Sequence, residues 1–261
     1  MVSRLNIDHV VILVDDLDAA AGDYRALGFT VTPGGEHATG LSHNALIAFE
    51  DGSYIELIAF KQRPAEVAGV WGRFVRGEGV TGLVDFALVP EDIAAVVDEA
   101  QARGLSLDGP TPGGRMRPDG QQVRWLTAVP DAPDLPFLCA DVTARELRVP
   151  EARTHANGVT GVSRLTVAVR QLPHSLERYG ALLGVDAPPL SPGQVRAVDL
   201  PVGDATITLT APPDDRSPLH GHLAACGEGP FSLLLRTAAR ERVGMLDSSL
   251  SHGARIALAL A

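Results

Sequence analysis

Residues 8–17, DHVVILVDDL, lie without a gap over residues 84–93, VDFALVPEDI, and the same shift carries Gly28 onto Gly104 (85 − 9 = 76; 104 − 28 = 76). A chain that repeats itself at this period is built from supersecondary units that bury a shared core, which restricts the open folds more than any single motif does. In the first copy Ile7, His9, Val11 and Leu13 share one face by period-2 alternation. Leu17, Ala20, Ala21, Tyr24 and Leu27 then form a helical stripe behind Asp15 or Asp16 as N-cap. The second copy repeats the scheme with Leu83, Asp85, Ala87 and Val89, followed by Ile93, Val96, Val97 and Ala100. His9 and Asp85 therefore occupy equivalent places on otherwise apolar strands.

Two further strand-like runs, residues 45–49 and 54–60, are joined by the turn Glu50-Asp51-Gly52-Ser53. Alternation puts Tyr54, Glu56, Ile58 and Phe60 on one face, so Glu56 is a carboxylate among aromatic and aliphatic groups. A desolvated carboxylate pairs, protonates or binds a metal. Taken singly, His9 is ordinarily a core histidine bonded to a backbone carbonyl, and Glu56 or Asp85 is ordinarily the partner of an arginine. Taken together at matched repeat positions, two carboxylates and a neutral imidazole complement one divalent cation. Those donors suit Zn, Mn, Fe, Co or Ni and leave coordination positions open.

Three stretches, IDHVVILVDDLDAAAGDYRALGFTV (residues 7–31), GGEHATGLSHNALIAFEDGSYIELIAF (residues 34–60) and GGRMRPDGQQVRW (residues 113–125), resemble the vicinal oxygen chelate superfamily. That superfamily includes glyoxalase I, extradiol dioxygenases and bleomycin-resistance proteins, and the likeness is to its glyoxalase-like subgroup. The resemblance implies an α+β fold of tandem βαβββ modules forming cupped mixed sheets. It implies metal ligands from the first and last strands of each module, which fall on His9, Glu56 and Asp85. The fourth falls in residues 136–142, PFLCADV, where Leu138 or, one residue on, Cys139 stands opposite Glu56 and neither is the expected carboxylate. Water, Cys139 or a loop histidine is left for that place, the histidines in the order His37, His155, His43. His37 and Asn44 match positions characteristic of the subgroup, while His43 also reads as a solvated loop residue.

The rest of the chain echoes the scheme in weakened form. Residues 162–169, the stripe Leu172, Leu176, Tyr179 and Leu182, and residues 205–210 follow the first unit, with Tyr179 over Tyr24 (179 − 24 = 155). This puts Arg164 where His9 stands, and matching Ile207-Thr208-Leu209 to Ile55-Glu56-Leu57 puts Thr208 where Glu56 stands. A guanidinium offers no lone pair to a metal, so this copy reads as scaffold, pocket wall or dimer surface. Beyond it, residues 231–235 read as a strand, 238–250 as a polar helix and 255–260 as a last strand. The expected division is residues 1–145, holding paired modules at about 5–62 and 80–143, and a degenerate residues 157–261. The charged segment 144–157 with Pro150 serves as the boundary.

A formal charge of −10 without a basic run disfavours nucleic acid as a partner. No apolar stretch approaches the ~20 residues that cross a bilayer, and no signal-peptide pattern opens the chain, so a cytoplasmic protein is expected. Cys139 and Cys226 are too few and too far apart for a disulfide framework. The turn-like residues 115–120 carry Arg115 and Arg117, which read either as a clamp on a substrate carboxylate or phosphate or as an exposed basic turn. Trp71, beside Arg73 in the connection between modules, reads as a plug of the module seam in preference to a pocket floor.

The resemblance implies a divalent-metal-dependent enzyme of lyase, isomerase or dioxygenase type acting on a small oxygen-bearing metabolite. The metal would bind two neighbouring substrate oxygens while Glu56 or His37 moves the proton; Asn44, His43, Arg115, Arg117 and His155 are the candidate substrate contacts. A metal-free protein that sequesters a drug or other small molecule is the alternative in the same superfamily. A homodimer is left open, because relatives pair modules within or between chains.

Overall fold

The computed structural model describes residues 5–62, 69–75, 80–186, 196–214 and 216–261. The first copy runs β1 (Asn6–Leu13), α1 (Leu17–Ala26), β2 (Thr32–His37), β3 (Ser42–Ala48) and β4 (Tyr54–Phe60). After α2 (Val70–Phe74), the second runs β5 (Gly82–Val89), α3 (Ile93–Ala102), β6 (Leu107–Met116), β7 (Gln122–Pro130) and β8 (Phe137–Asp141). The repeat survives in the caps. Asp16 accepts from the N–H groups of Asp18 and Ala19, and the matched Asp92 (92 − 16 = 76) accepts from those of Ala94 and Ala95. Gly28 and Gly104 each follow a helix at positive φ, 91° and 88°, where a side chain would be strained.

The eight strands close into a barrel in the order β1-β4-β3-β2-β6-β7-β8-β5. The modules meet along two seams. β1 and β5 pair antiparallel along most of their length, whereas β2 and β6 join through two residue pairs, Glu36 with Met116 and His37 with Arg115. Strands buried on both faces read as continuous apolar runs. In β1, Val10 and Ile12 pack outward in the helix-covered core, while Val11 and Leu13 pack inside the barrel with Ile58, Ala87 and Phe137. Residues 34–44, expected as a loop, instead form much of the hairpin β2–β3, so His37 sits on a strand.

The C-terminal half comprises β9 (Val159–Ala168), α5 (Leu172–Leu183), β10 (Ala197–Val202), β11 (Ala205–Thr210), α6 (Pro218–Ala225), β12 (Gly229–Thr237), β13 (Gly244–Met245) and β14 (Ile256–Leu260). Its six-stranded sheet, β10-β11-β9-β12-β14-β13, does not close. The helix expected over 238–250 is absent: the chain makes a 3₁₀ turn at Arg240–Arg242, the short β13 and further turns. Asp247 there accepts from both the N–H and the hydroxyl of Ser249, a local bond that competes with helix.

One apolar cluster runs from the outer face of the barrel through α1, α3 and α5 to the open sheet. Two buried tyrosines at matched positions tie the halves: Tyr24 donates to the carbonyl of Ser251 at 3.2 Å, and Tyr179 to that of Asp134 at 2.7 Å. The segment expected as a boundary is built into the barrel. It contains α4 (Arg145–Arg148), whose Arg148 is buried, and the Asn157 amide donates to the Leu27 carbonyl. No helix among the described residues is long and apolar enough to cross a membrane.

Candidate functional site

Inside the barrel, one step along the pleat from the apolar plug, polar side chains converge on a cavity. Parallel pairing sets His9 of β1 beside Tyr54 of β4, and their rings stack at 4.7 Å with planes 17° apart. His9 Nδ1 lies 2.7 Å from Asp8 Oδ2, and Nε2 lies 3.5 Å from Glu56 Oε2. The other carboxylate oxygen, Glu56 Oε1, accepts from Asn44 Nδ2 at 2.7 Å and stands 3.4 Å from His37 Nε2. His37 Nδ1 in turn meets the Ser42 hydroxyl at 2.9 Å. The result is a buried chain Asp8–His9–Glu56–His37–Ser42. Burial acts to raise the Glu56 pKa, but His37, His9 and the Asn44 hydrogen bond outweigh it and hold the carboxyl at about 2.

The glycines of the GGEHATGLSHN stretch explain how this cluster fits. A Cβ on Gly34 would lie 2.0 Å from Asn44 Oδ1, and one on Gly35, at φ 127°, would lie 1.9 Å from the Met116 carbonyl. Only a bare backbone lets the Asn44 carboxamide tuck against β2 and lets β2 approach β6.

Asp8 escaped the sequence reading because alternation sends neighbours to opposite faces. A bulge between Ile7 and His9 in the β1–β5 ladder breaks that alternation. The Asp8 carboxylate binds Arg148 through Nη1 and Nη2 at 2.7 and 3.0 Å, and Arg145 at 2.7 Å. Burial pushes its pKa up, yet Arg148 and His9 hold it well below the usual carboxylate range. Arg148 also grips Asp141 and donates to the Tyr54 hydroxyl at 2.6 Å. It stands 140 residues from Asp8 in a segment that reads as linker, and nothing local in the sequence marks it.

The expected ligand set is not assembled. Antiparallel pairing puts His9 across from Ala87 and Asp85 across from Val11, so equivalence in the repeat is not proximity in the barrel. Asp85 is engaged by Arg73 at 2.5 and 3.0 Å and accepts from the Phe86 N–H. Arg73 also donates to the Pro130 and Ala132 carbonyls, so Asp85 anchors α2 against the barrel. The residue matched to Glu56 is neither Leu138 nor Cys139. Glu56 pairs with Val11, and Phe137 pairs with Ala87, the repeat mate of Val11 (87 − 11 = 76). An aromatic ring therefore fills the fourth position. Among the described residues no group of three or more His, Cys, Asp or Glu is arranged to hold a metal ion.

Other expected contacts divide similarly. His37, Asn44 and Arg115 line the cavity, whereas His43, Arg117 and His155 do not. His43, out of phase with Asn44, pairs across to Glu36. Arg117 reaches Asp119 and the Leu147 carbonyl at the surface. His155 is held between the Thr30 N–H and the Ala48 carbonyl, both at 3.0 Å, and is a structural residue. Arg115 belongs to β6, ahead of the turn closed by the Gly120 N–H on the Arg117 carbonyl. Trp71 plugs no seam: it stands edge-on to His37 at 4.7 Å and forms the cavity wall with Trp125, Phe74 and Phe137. Burial pushes the Cys139 thiol, also on the wall, far up, so it is no thiolate. Free space amounts to about 40 Å³, room for about two or three waters.

The profile of the glyoxalase-like domain family matches residues 7–183. No curated protein matches the chain. Among solved structures, a hypothetical protein from Staphylococcus aureus superposes with a TM-score of 0.75 at 14% identity, covering 98% of this chain and 100% of that one. A mutant of 4-hydroxymandelate synthase from Streptomyces coelicolor gives 0.57 at 18% identity, covering 95% and 78%. A fusion of a xylose isomerase-like TIM barrel with a 4-hydroxyphenylpyruvate dioxygenase gives 0.56 at 17%, covering 92% and 39%. At these identities the structures speak for fold alone. With two βαβββ modules closed into one barrel and a family profile spanning both, the chain belongs to the glyoxalase-like domain family.

Proposed function

We propose that the protein is an enzyme of lyase or isomerase type that moves a proton on a small oxygen-bearing metabolite. The observation that carries this reading is the Glu56 carboxylate set between two imidazoles at the floor of an aromatic-walled cavity. A carboxyl held at about 2 is a weak base, so Glu56 serves as a fixed negative charge. The imidazoles are the proton carriers. Asp8 on Nδ1 sets the ring of His9 so that Nε2 faces the cavity, and Ser42 does the same for His37. One imidazole takes a proton from a carbon beside a carbonyl or carboxyl, the other gives its own proton to the neighbouring atom, and the two rings reset by exchange with solvent. Trp71 and Phe74 wall the cavity beside the imidazoles.

The test is solvent exchange in D₂O, followed by proton NMR, over a panel of small hydroxy and oxo compounds. Wild type washes out an activated C–H signal, and His37→Gln or Glu56→Gln slows the loss by at least about 100-fold. A compound that binds while none of the panel exchanges would overturn the enzyme and favour sequestration.

A further inference from the structure

We infer that the ligand of this cavity carries a carboxylate and that Arg115 is its anchor; this deepens the proton-transfer reading and rests on the same cavity. Arginines packed into or against the barrel are matched by acids: Arg148 and Arg145 by Asp8 and Asp141, Arg73 by Asp85. Arg115 is the exception. It is 4% exposed, and among the described residues no carboxylate lies within ion-pair distance of it. Among the described residues its one side-chain hydrogen bond runs from Nη2 to the Arg148 carbonyl at 2.7 Å. Its Nε is buried without any partner.

A guanidinium taken out of water without a counter-ion is costly, and a ligand anion removes that cost. Glu56 does not serve, because its oxygens are committed to Asn44 and the imidazoles. Arg115 lines the cavity, and its unpartnered Nε together with Nη2 is a planar donor pair that matches a carboxylate. Arg115 is paired across the β2–β6 seam with His37, so an acid held there presents the carbon next to its carboxylate to an imidazole. The free space of about 40 Å³ limits the occupant to a short acid.

The chain has two tryptophans, Trp71 and Trp125, and both line this cavity, so selectively excited tryptophan fluorescence reports on it. The probes are sodium glycolate, glycolamide and inorganic phosphate. A saturable change with glycolate is expected, at least about tenfold weaker with glycolamide. Arg115→Gln abolishes the response and Arg115→Lys keeps part of it. Equal response to acid and amide, a preference for phosphate, or full glycolate binding by a folded Arg115→Gln protein would overturn the inference. Glycolate binding without C–H exchange in any acid would leave the anchor standing and remove the proton-transfer reading. Exchange on a neutral compound such as dihydroxyacetone, undiminished in Arg115→Gln, would remove the anchor and leave the chemistry.

Discussion

The barrel and the open sheet use the same strand–helix–strand unit and place polar groups at the same two points, with opposite results. In the barrel, His9 and Glu56 are buried. In the sheet, the matched Arg164 and Thr208 hydrogen-bond each other and share Asp199, but the side chains of Arg164 and Asp199 are 37% and 55% exposed. Closure makes the difference. Eight strands shut water away from Glu56, so each neighbour moves its charge state, whereas six strands leave Arg164 and Asp199 screened by solvent.

That contrast is open to direct attack. The largest effect is expected for Arg148→Met, which strips Asp8 of its bidentate partner and costs about 3–5 kcal/mol by urea unfolding. A loss below about 1 kcal/mol would mean that the barrel interior is wetter than its closure implies. Next comes acid stability. Glu56 titrates at about 2 in the folded chain against 4.5 for a free side chain, so its contribution is complete above about pH 4.5 and disappears as pH falls towards about 2, roughly 3 kcal/mol in all. Glu56→Gln should flatten that part of the stability–pH curve. An unchanged slope would show that Glu56 is not held ionised by its neighbours. Gly34→Ala should cost about 1–3 kcal/mol and, by displacing the Asn44 carboxamide, slow solvent exchange. Unaltered exchange would detach Asn44 from the chemistry. The smallest effect, below about 1 kcal/mol, is expected for Arg164→Met in the open sheet, and a larger value would erase the contrast between the halves.

The repeat and its alternation expose the modules, the N-caps and the strand placement of His9 and Glu56, because those depend on local periodicity. Partner choice across strands does not. The 76-residue shift pairs His9 with Asp85 on paper, while the antiparallel ladder offsets them by two residues (87 − 85 = 2) and hands Asp85 to Arg73. Asp8 depends on a bulge, and Arg148 on a contact spanning 140 residues; neither leaves a periodic trace. The weak C-terminal copy misleads differently: residues 238–250 are polar enough for a surface helix, but the Asp247–Ser249 bonds turn the chain first.

The reciprocal tyrosines have a consequence for cooperativity. Tyr24 of the first copy ends on a carbonyl of the C-terminal half, and Tyr179 of the third copy ends on a carbonyl of the barrel. Neither half can open without stranding a hydroxyl that belongs to the other, within a core they share. Slow amide protons of β4 and β11 should therefore exchange through one common unfolding event with a single free energy, and the copy without the buried His9–Glu56 pair still sets how long the other stays closed.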